Sequence, residues 1–130
     1  MLCWVVLSII KNMNKPRLLI TGGSGLLALN WACAVRDEWD VILGTHHHTI
    51  KLRGTSQYSL YLDDLTKLEL QLEELSPDLI VHTAGLTDVD LCEKEPILAQ
   101  HVNAEIAKNV AVISAKKNIN LIHISTDHLF

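Results

Sequence analysis

Apolar positions follow two rhythms along the chain, short unbroken runs and longer stretches that repeat every three or four residues, and the two alternate. Leu18-Leu19-Ile20 is the first run and predicts a strand over 17–21; after it, Leu27, Trp31, Ala34 and Val35 share a helical face over 24–37, with Trp31 read as core. Residues 41–45 predict a second strand, a polar loop follows through His46, His47, His48 and Gly54, and a third strand is expected over 58–62. Leu65, Leu68, Leu72 and Leu75 recur at helical spacing, and Pro77 ends that crossover helix. The run Leu79-Ile80-Val81 within 78–83 suits a parallel strand buried on both faces, broken by Ala84 and Gly85. A polar loop over 87–95 leads to Pro96 and one long helix with a stripe of Leu98, Val102, Ile106, Val110 and Ile113, Asn103 lying on the stripe beside it. Leu121-Ile122-His123-Ile124 make the fifth strand, over 120–125.

Strands alternating with helices build parallel β-α-β units, whose right-handed crossovers give a Rossmann-type doubly wound α/β sheet with expected strand order 3-2-1-4-5. In such a sheet ligands bind beyond the carboxyl ends of the strands, where the order reverses. Those ends are Thr21, Thr45, Leu62, Thr83 and Ser125.

Between the first strand and its helix lies Thr21-Gly22-Gly23-Ser24-Gly25-Leu26-Leu27-Ala28, which fits G-x-x-G-x-x-A from Gly22 and G-x-G-x-x-A from Gly23. A side chain on this turn would hold a phosphate away from backbone N–H groups and from the positive end of the helix. Ala28 stands where a third small residue lets helix and strand pack closely. The alternative is a glycine-rich turn with no ligand.

The apolar run over 1–10 is too short to span a bilayer as a helix, and Lys11, Lys15 and Arg17 follow it rather than precede it, unlike a signal peptide. Residues 1–12 are expected to be an extension outside the fold, with Met13 opening a single domain over 13–130. Apolar residues are 48% and charged residues 20% of the chain, which excludes disorder. A net charge of -4 supplies no footprint for nucleic acid. Cys3, Cys33 and Cys92 form neither a disulfide framework nor a C-x-x-C site, and the adjacent His46, His47 and His48 lack ligand spacing, so no metal is expected and a reducing cytoplasm fits.

The glycine loop, the break His82-Thr83-Ala84-Gly85, Thr87-Asp88-Val89-Asp90 with Glu93, Val102-Asn103-Ala104-Glu105, and Ser125-Thr126-Asp127-His128 stand in this order along the chain. Together they resemble the extended short-chain dehydrogenase/reductases, and among these the dTDP-4-dehydrorhamnose reductases of dTDP-rhamnose synthesis, over residues 13–130. The resemblance implies an NAD(P)H-dependent oxidoreductase whose substrate in the complete protein is a nucleotide-linked keto-sugar. It implies that the dinucleotide is held by Gly22, Gly23, Ser24, Gly25 and Leu26, by His46 after the second strand, by Asp64 and Leu65 near the adenine, and by Ala84 and Gly85 beyond the fourth strand. Asp64 reads equally as a helix N-cap. Thr126 falls where the superfamily keeps a catalytic Ser or Thr that hydrogen-bonds the substrate carbonyl; alternatively Ser125 and Thr126 simply end a strand. Asn103 matches a position whose amide holds backbone near the site, or else it is a polar residue with a satisfied local bond.

The chain departs from the family in three ways. No Asp or Glu ends the second strand, where Thr45 and His46 stand with His47, Lys51 and Arg53 nearby, and NADP(H) is therefore expected over NAD(H). Ala28 and Ile106 replace family glycines. The family's Tyr-x-x-x-Lys is absent, since Leu62 and Leu65 stand four residues after Tyr58 and Tyr61. The chain thus reads as the cofactor-binding half of a longer protein, inactive alone, with apolar sheet surface near Leu121, Ile122 and Ile124 favouring self-association into a homo-oligomer. Two other functions fit the same residues: a non-catalytic regulatory subunit resembling the methionine adenosyltransferase β subunit, and another extended family member such as a sugar-nucleotide epimerase or dehydratase.

Overall fold

The computed structural model describes residues 15–125. The expected extension over 1–12, Met13 and the candidate Thr126 lie outside the described residues. Five parallel strands, β1 (Arg17–Thr21), β2 (Asp40–Thr45), β3 (Thr55–Ser59), β4 (Leu79–His82) and β5 (Asn120–His123), form one sheet in the order β3-β2-β1-β4-β5. This is the doubly wound Rossmann-type arrangement, with its order reversing between β1 and β4. Helices α1 (Leu26–Val35), α2 (Leu65–Leu75), α3 (Val89–Lys94), α4 (Pro96–Gln100) and α5 (Ile106–Lys116) connect the strands, and a π-helical turn, His101–Glu105, joins α4 to α5.

Strand residues alternate between the two faces of the sheet, so each strand feeds two cores. Leu19, Ile42 and Ile80 pack on one face with Leu68, Leu72 and Leu75 of α2 and Val110 and Ile113 of α5. Leu18, Ile20, Val41, Leu43 and Val81 pack on the other with Ala28 and Ala32 of α1. Trp31, expected as core, is half-buried against this second cluster. The face of α1 differs from expectation: Leu26 is 80% exposed and Leu27 49%, and Ala34 is exposed, whereas Ala28 and Ala32 are fully buried. Close approach to the sheet selects the small side chains.

Three further differences have local causes. The third strand runs over Thr55–Ser59 rather than 58–62, because it is the polar edge of the sheet and the apolar signal belonged to Leu60, which follows it and is buried. The expected loop over 87–95 contains α3, capped by Asp88, whose Oδ1 accepts the Leu91 N–H at 3.0 Å. The long helix after Pro96 runs on to Lys116 but carries a π-helical turn within it. At the amino ends of the strands, away from the order reversal, Arg17 anchors three segments: its N–H donates to Asp78 Oδ2 at 2.7 Å, its Nε to Asp40 Oδ2 at 3.1 Å and its Nη1 to the Leu75 carbonyl at 2.6 Å.

Candidate functional site

The three loop glycines are needed for different reasons. Gly22 has φ +66°, and a Cβ there would lie 2.8 Å from both N and Cα of Ala84, so the loop touches the end of β4 backbone to backbone. A Cβ on Gly23 would lie 2.9 Å from the Leu43 Cβ, and the Gly23 N–H is used on the Gly44 carbonyl at 2.9 Å, which makes Gly23 part of the sheet packing. Gly25 has an ordinary φ of -76° and its Cβ would meet only the Gly22 carbonyl oxygen, at 3.2 Å. The fold therefore constrains position 25 less tightly than positions 22 and 23.

Gly25 caps α1 without a side-chain bond, and its own N–H is used on the Gly22 carbonyl at 2.8 Å. The N–H groups of Leu26, Leu27 and Ala28 come before the first bonds that a helix makes within itself. Together with the helix dipole they favour an anion, and the glycine loop leaves the approach to them open.

Two cavities flank the loop and meet at Ala84. The first, about 410 Å³, lies over β2 and β3 and is lined by Gly22, Ser24, Thr45, His46, His47, Leu62, Asp63, Ala84 and His101 among others. The second, about 630 Å³, lies over β4 and β5 and is lined by Gly25, Leu26, Ala84, Gly85, Asn103, His123, Ile124 and Ser125 among others. They stand on either side of the order reversal, so one elongated ligand could cross from one to the other over the loop.

Asn103 holds the wall of the second cavity. Its Oδ1 accepts the Leu86 N–H at 2.7 Å and its Nδ2 donates to the Leu86 carbonyl at 3.0 Å, a pairing across seventeen positions that fixes the segment after β4. This matches the expectation that its amide holds backbone near the site. The π-helical turn carries Asn103; such turns aim side chains that a regular helix would place elsewhere.

His82, at the end of β4, is only 1% exposed. Its Nδ1 bonds Thr21 Oγ1 at 2.7 Å, Thr83 Oγ1 donates to the Thr21 carbonyl at 2.7 Å, and the His82 ring stacks on His123 with centroids 5.4 Å apart. His82 Nε2 is buried without a hydrogen-bond partner among the described residues. A proton on Nδ1, donated to Thr21, leaves only a lone pair at Nε2 and is the cheaper arrangement. Burial, and secondarily the neighbouring His123, push the His82 pKa from 6.5 down to about 4.

This lowering has a sign. Between about pH 6.5 and pH 4 the unfolded chain binds a proton that the fold refuses, so stability falls as pH drops through that window. The loss reaches roughly 3 kcal/mol, at about 1.4 kcal/mol per pH unit. Urea unfolding of the parent and of His82→Asn across this range should show a steeper slope in the parent than in the variant. Equal slopes would remove His82 as its source.

The other expected site residues divide. His46 lines the first cavity, but Asp64 and Leu65 do not. Asp64 is the N-cap of α2, its Oδ1 accepting the Lys67 N–H at 3.0 Å, and that bond first, then the Lys67 charge, lowers its pKa. Leu62 and Asp63, the residues just before the cap, line the first cavity instead. Lys51 and Arg53 line a separate depression on the far side of β3 rather than the cavity beside His46. Among the described residues no group of three His, Cys, Asp or Glu side chains could hold a metal ion, and no helix is long and apolar enough to cross a membrane.

Residues 16–130 match the family model described as the RmlD substrate binding domain. The chain is 30% identical over 115 residues to the dTDP-4-dehydrorhamnose reductase of Sinorhizobium fredii, covering 88% of this chain and 35% of the relative. It is 28% identical over 114 residues to methionine adenosyltransferase 2 subunit beta of Xenopus laevis, covering 88% of this chain and 33% of the relative. The crystal structure of dTDP-4-dehydrorhamnose reductase from Bacillus anthracis in complex with NADP superposes with a TM-score of 0.72 at 31% identity, covering 89% of this chain and 38% of that one. The chain thus spans about a third of the length of the curated relatives it matches.

Proposed function

The chain belongs to the RmlD substrate-binding-domain family, and on that premise we propose that it forms the dinucleotide-binding part of an NAD(P)H-dependent reductase acting on a nucleotide-linked keto-sugar, of the dTDP-4-dehydrorhamnose kind. The observation that carries this reading is the pair of cavities meeting at Ala84 beside a loop whose Gly25 has an ordinary φ and borders the second cavity. A dinucleotide has two nucleosides joined by a pyrophosphate, and two chambers joined over a helix N-terminus suit that shape. The reductase with NADP from Bacillus anthracis adds support.

In this reading the N–H groups of Leu26 and Leu27 meet the pyrophosphate over Gly25, Gly22 and Ser24 border it, and His46, Leu62 and Asp63 surround the adenosine. Ala84, Gly85 and the Asn103-pinned segment border the other half. The dinucleotide when bound supplies the hydride. Ser125 leads into Thr126, whose hydroxyl orients the substrate carbonyl. NADP(H) is favoured over NAD(H), because no carboxylate ends β2 and two histidines stand there instead.

Replacing Gly25 with Val tests the reading. The variant should keep its thermal transition while losing at least about tenfold in affinity for NADPH and NADH, since its side chain enters the second cavity. Calorimetry decides it, and undiminished affinity would exclude passage of the ligand over Gly25. A second reading, a partner subunit rather than a reductase, is favoured by the likeness to methionine adenosyltransferase 2 subunit beta. Only the first reading requires turnover in the complete protein.

A further inference from the structure

The lining of the first cavity has an unusual charge pattern. It includes four histidines, His46, His47, His48 and His101, and one carboxylate, Asp63, with no lysine or arginine among the described residues that line it. Imidazole is the side chain that changes charge between about pH 5 and 8. Every cation this cavity can offer an anion is therefore conditional on pH.

The four are not equivalent. His101 Nδ1 bonds Glu105 Oε2 at 2.9 Å, so any charge it carries is already matched by a carboxylate. The His48 carbonyl accepts from Gln57 Nε2 at 3.3 Å. His46 and His47 form a pair, with ring centroids 3.7 Å apart at 59°. His46 Nδ1 lies 3.4 Å from the Leu60 carbonyl oxygen, which can only accept, so Nδ1 carries the hydrogen. In the neutral ring this leaves a lone pair at Nε2, which repels a phosphate oxygen. Protonation turns the same atom into a charged donor able to make a charge-assisted bond.

Resting on the reading of this cavity as the adenosine end, we propose that His46 and His47 form a proton-gated selector for a ribose phosphate, so that the chain prefers a 2′-phosphorylated dinucleotide in mildly acidic solution and loses this preference as pH rises. The gate differs from an arginine clamp, whose charge is constant over the same range. It makes cofactor choice depend on pH while leaving the pyrophosphate contacts at α1 untouched.

The test compares NADPH and NADH affinities across about pH 6 to about pH 8 for the parent chain and for the double variant His46→Gln, His47→Gln. In the parent, the preference for NADPH should fall by about fivefold or more over this range, and the variant should lose most of that change. A phosphate's own second ionisation lies near pH 6 and acts in the opposite direction, so the histidine contribution is the difference between parent and variant. Calorimetry in two buffers of different ionisation enthalpy should also show proton uptake when NADPH binds the parent and markedly less with the variant. If both dinucleotides bind but parent and variant share one pH profile and one proton uptake, the gate is overturned and the dinucleotide reading stands. If neither dinucleotide binds, both are overturned.

Discussion

A chain carrying Gly22→Val is expected to lose about 3 to 5 kcal/mol of stability. Two costs combine at this position. The φ of +66° is one that a β-branched residue rarely adopts, and the added Cβ would stand 2.8 Å from the N and Cα of Ala84 and 3.0 Å from the carbonyl carbon of Thr83. Those are backbone atoms at the end of a buried central strand, and they cannot turn aside as a flexible side chain could. Gly22→Ala, with the same Cβ and less bulk, should fall between the parent and the valine variant in urea unfolding. Gly25→Val should cost under about 1 kcal/mol, since its φ is ordinary and its single close neighbour is one carbonyl oxygen. Similar urea midpoints for the two valine variants would show that the loop can open away from Ala84, contrary to this account.

The same contrast shows how far the sequence could be read. The glycine motif was visible as a spacing, but three glycines look alike in a string; only the neighbours of their absent Cβ atoms separate the backbone contacts that require glycine at 22 and 23 from the looser surroundings of 25. Central strands announced themselves because residues such as Leu18, Leu19 and Ile20 are buried on both faces and leave no polar alternation. Strand β3 did not, since Thr55-Ser56-Gln57-Tyr58-Ser59 is a polar edge with no apolar run. Helix α3 buries none of its residues and therefore has no periodic stripe to detect. In α1 hydrophobicity pointed to Leu27, while steric closeness to the sheet chose Ala28 and Ala32.

At the site, residues tied to strand ends were legible and residues placed by loops were not. His46 follows β2 directly and lines the cavity, but Lys51 and Arg53 are carried off by a loop pinned through Gln57, whose Oε1 accepts the Ile50 N–H at 2.8 Å and whose Nε2 reaches Thr45 Oγ1 at 2.8 Å. Asp64 was legible as an N-cap from its place before an apolar helix, and the cap bond turns its carboxylate to Lys67. His82 was passed over as a site residue, although a lone polar residue closing the run Leu79-Ile80-Val81 is a signal that something in the core must satisfy it. The structure supplies Thr21 as that partner.

The 130 residues as they stand are expected to oxidise no NADPH above background with dTDP-4-dehydrorhamnose, under conditions in which the Sinorhizobium fredii relative turns over. Reduction of a ketone leaves negative charge on its oxygen, and a positioned general acid at that oxygen contributes ~100 to 10,000-fold in rate. Neither tyrosine described here can serve. Tyr58 lies on the edge strand β3, and its hydroxyl donates to Glu74 Oε2 at 2.7 Å, a bond that, ahead of burial and the Glu74 charge, raises its pKa and makes it a poorer acid. Tyr61 lies beneath Lys67 Nζ, 4.7 Å from the ring centroid, beside α2. Neither lines the cavity over β4 and β5 that leads to Ser125, where the carbonyl would be presented. A threonine hydroxyl after Ser125 can orient an oxygen but does not replace an acid of matched pKa. Lengthening the chain with the remainder of a relative, which is roughly two and a half times as long, should restore turnover if that remainder brings a tyrosine and lysine to the second cavity. Turnover by the 130 residues within tenfold of the relative would place the acid inside this chain and overturn the assignment of the second cavity.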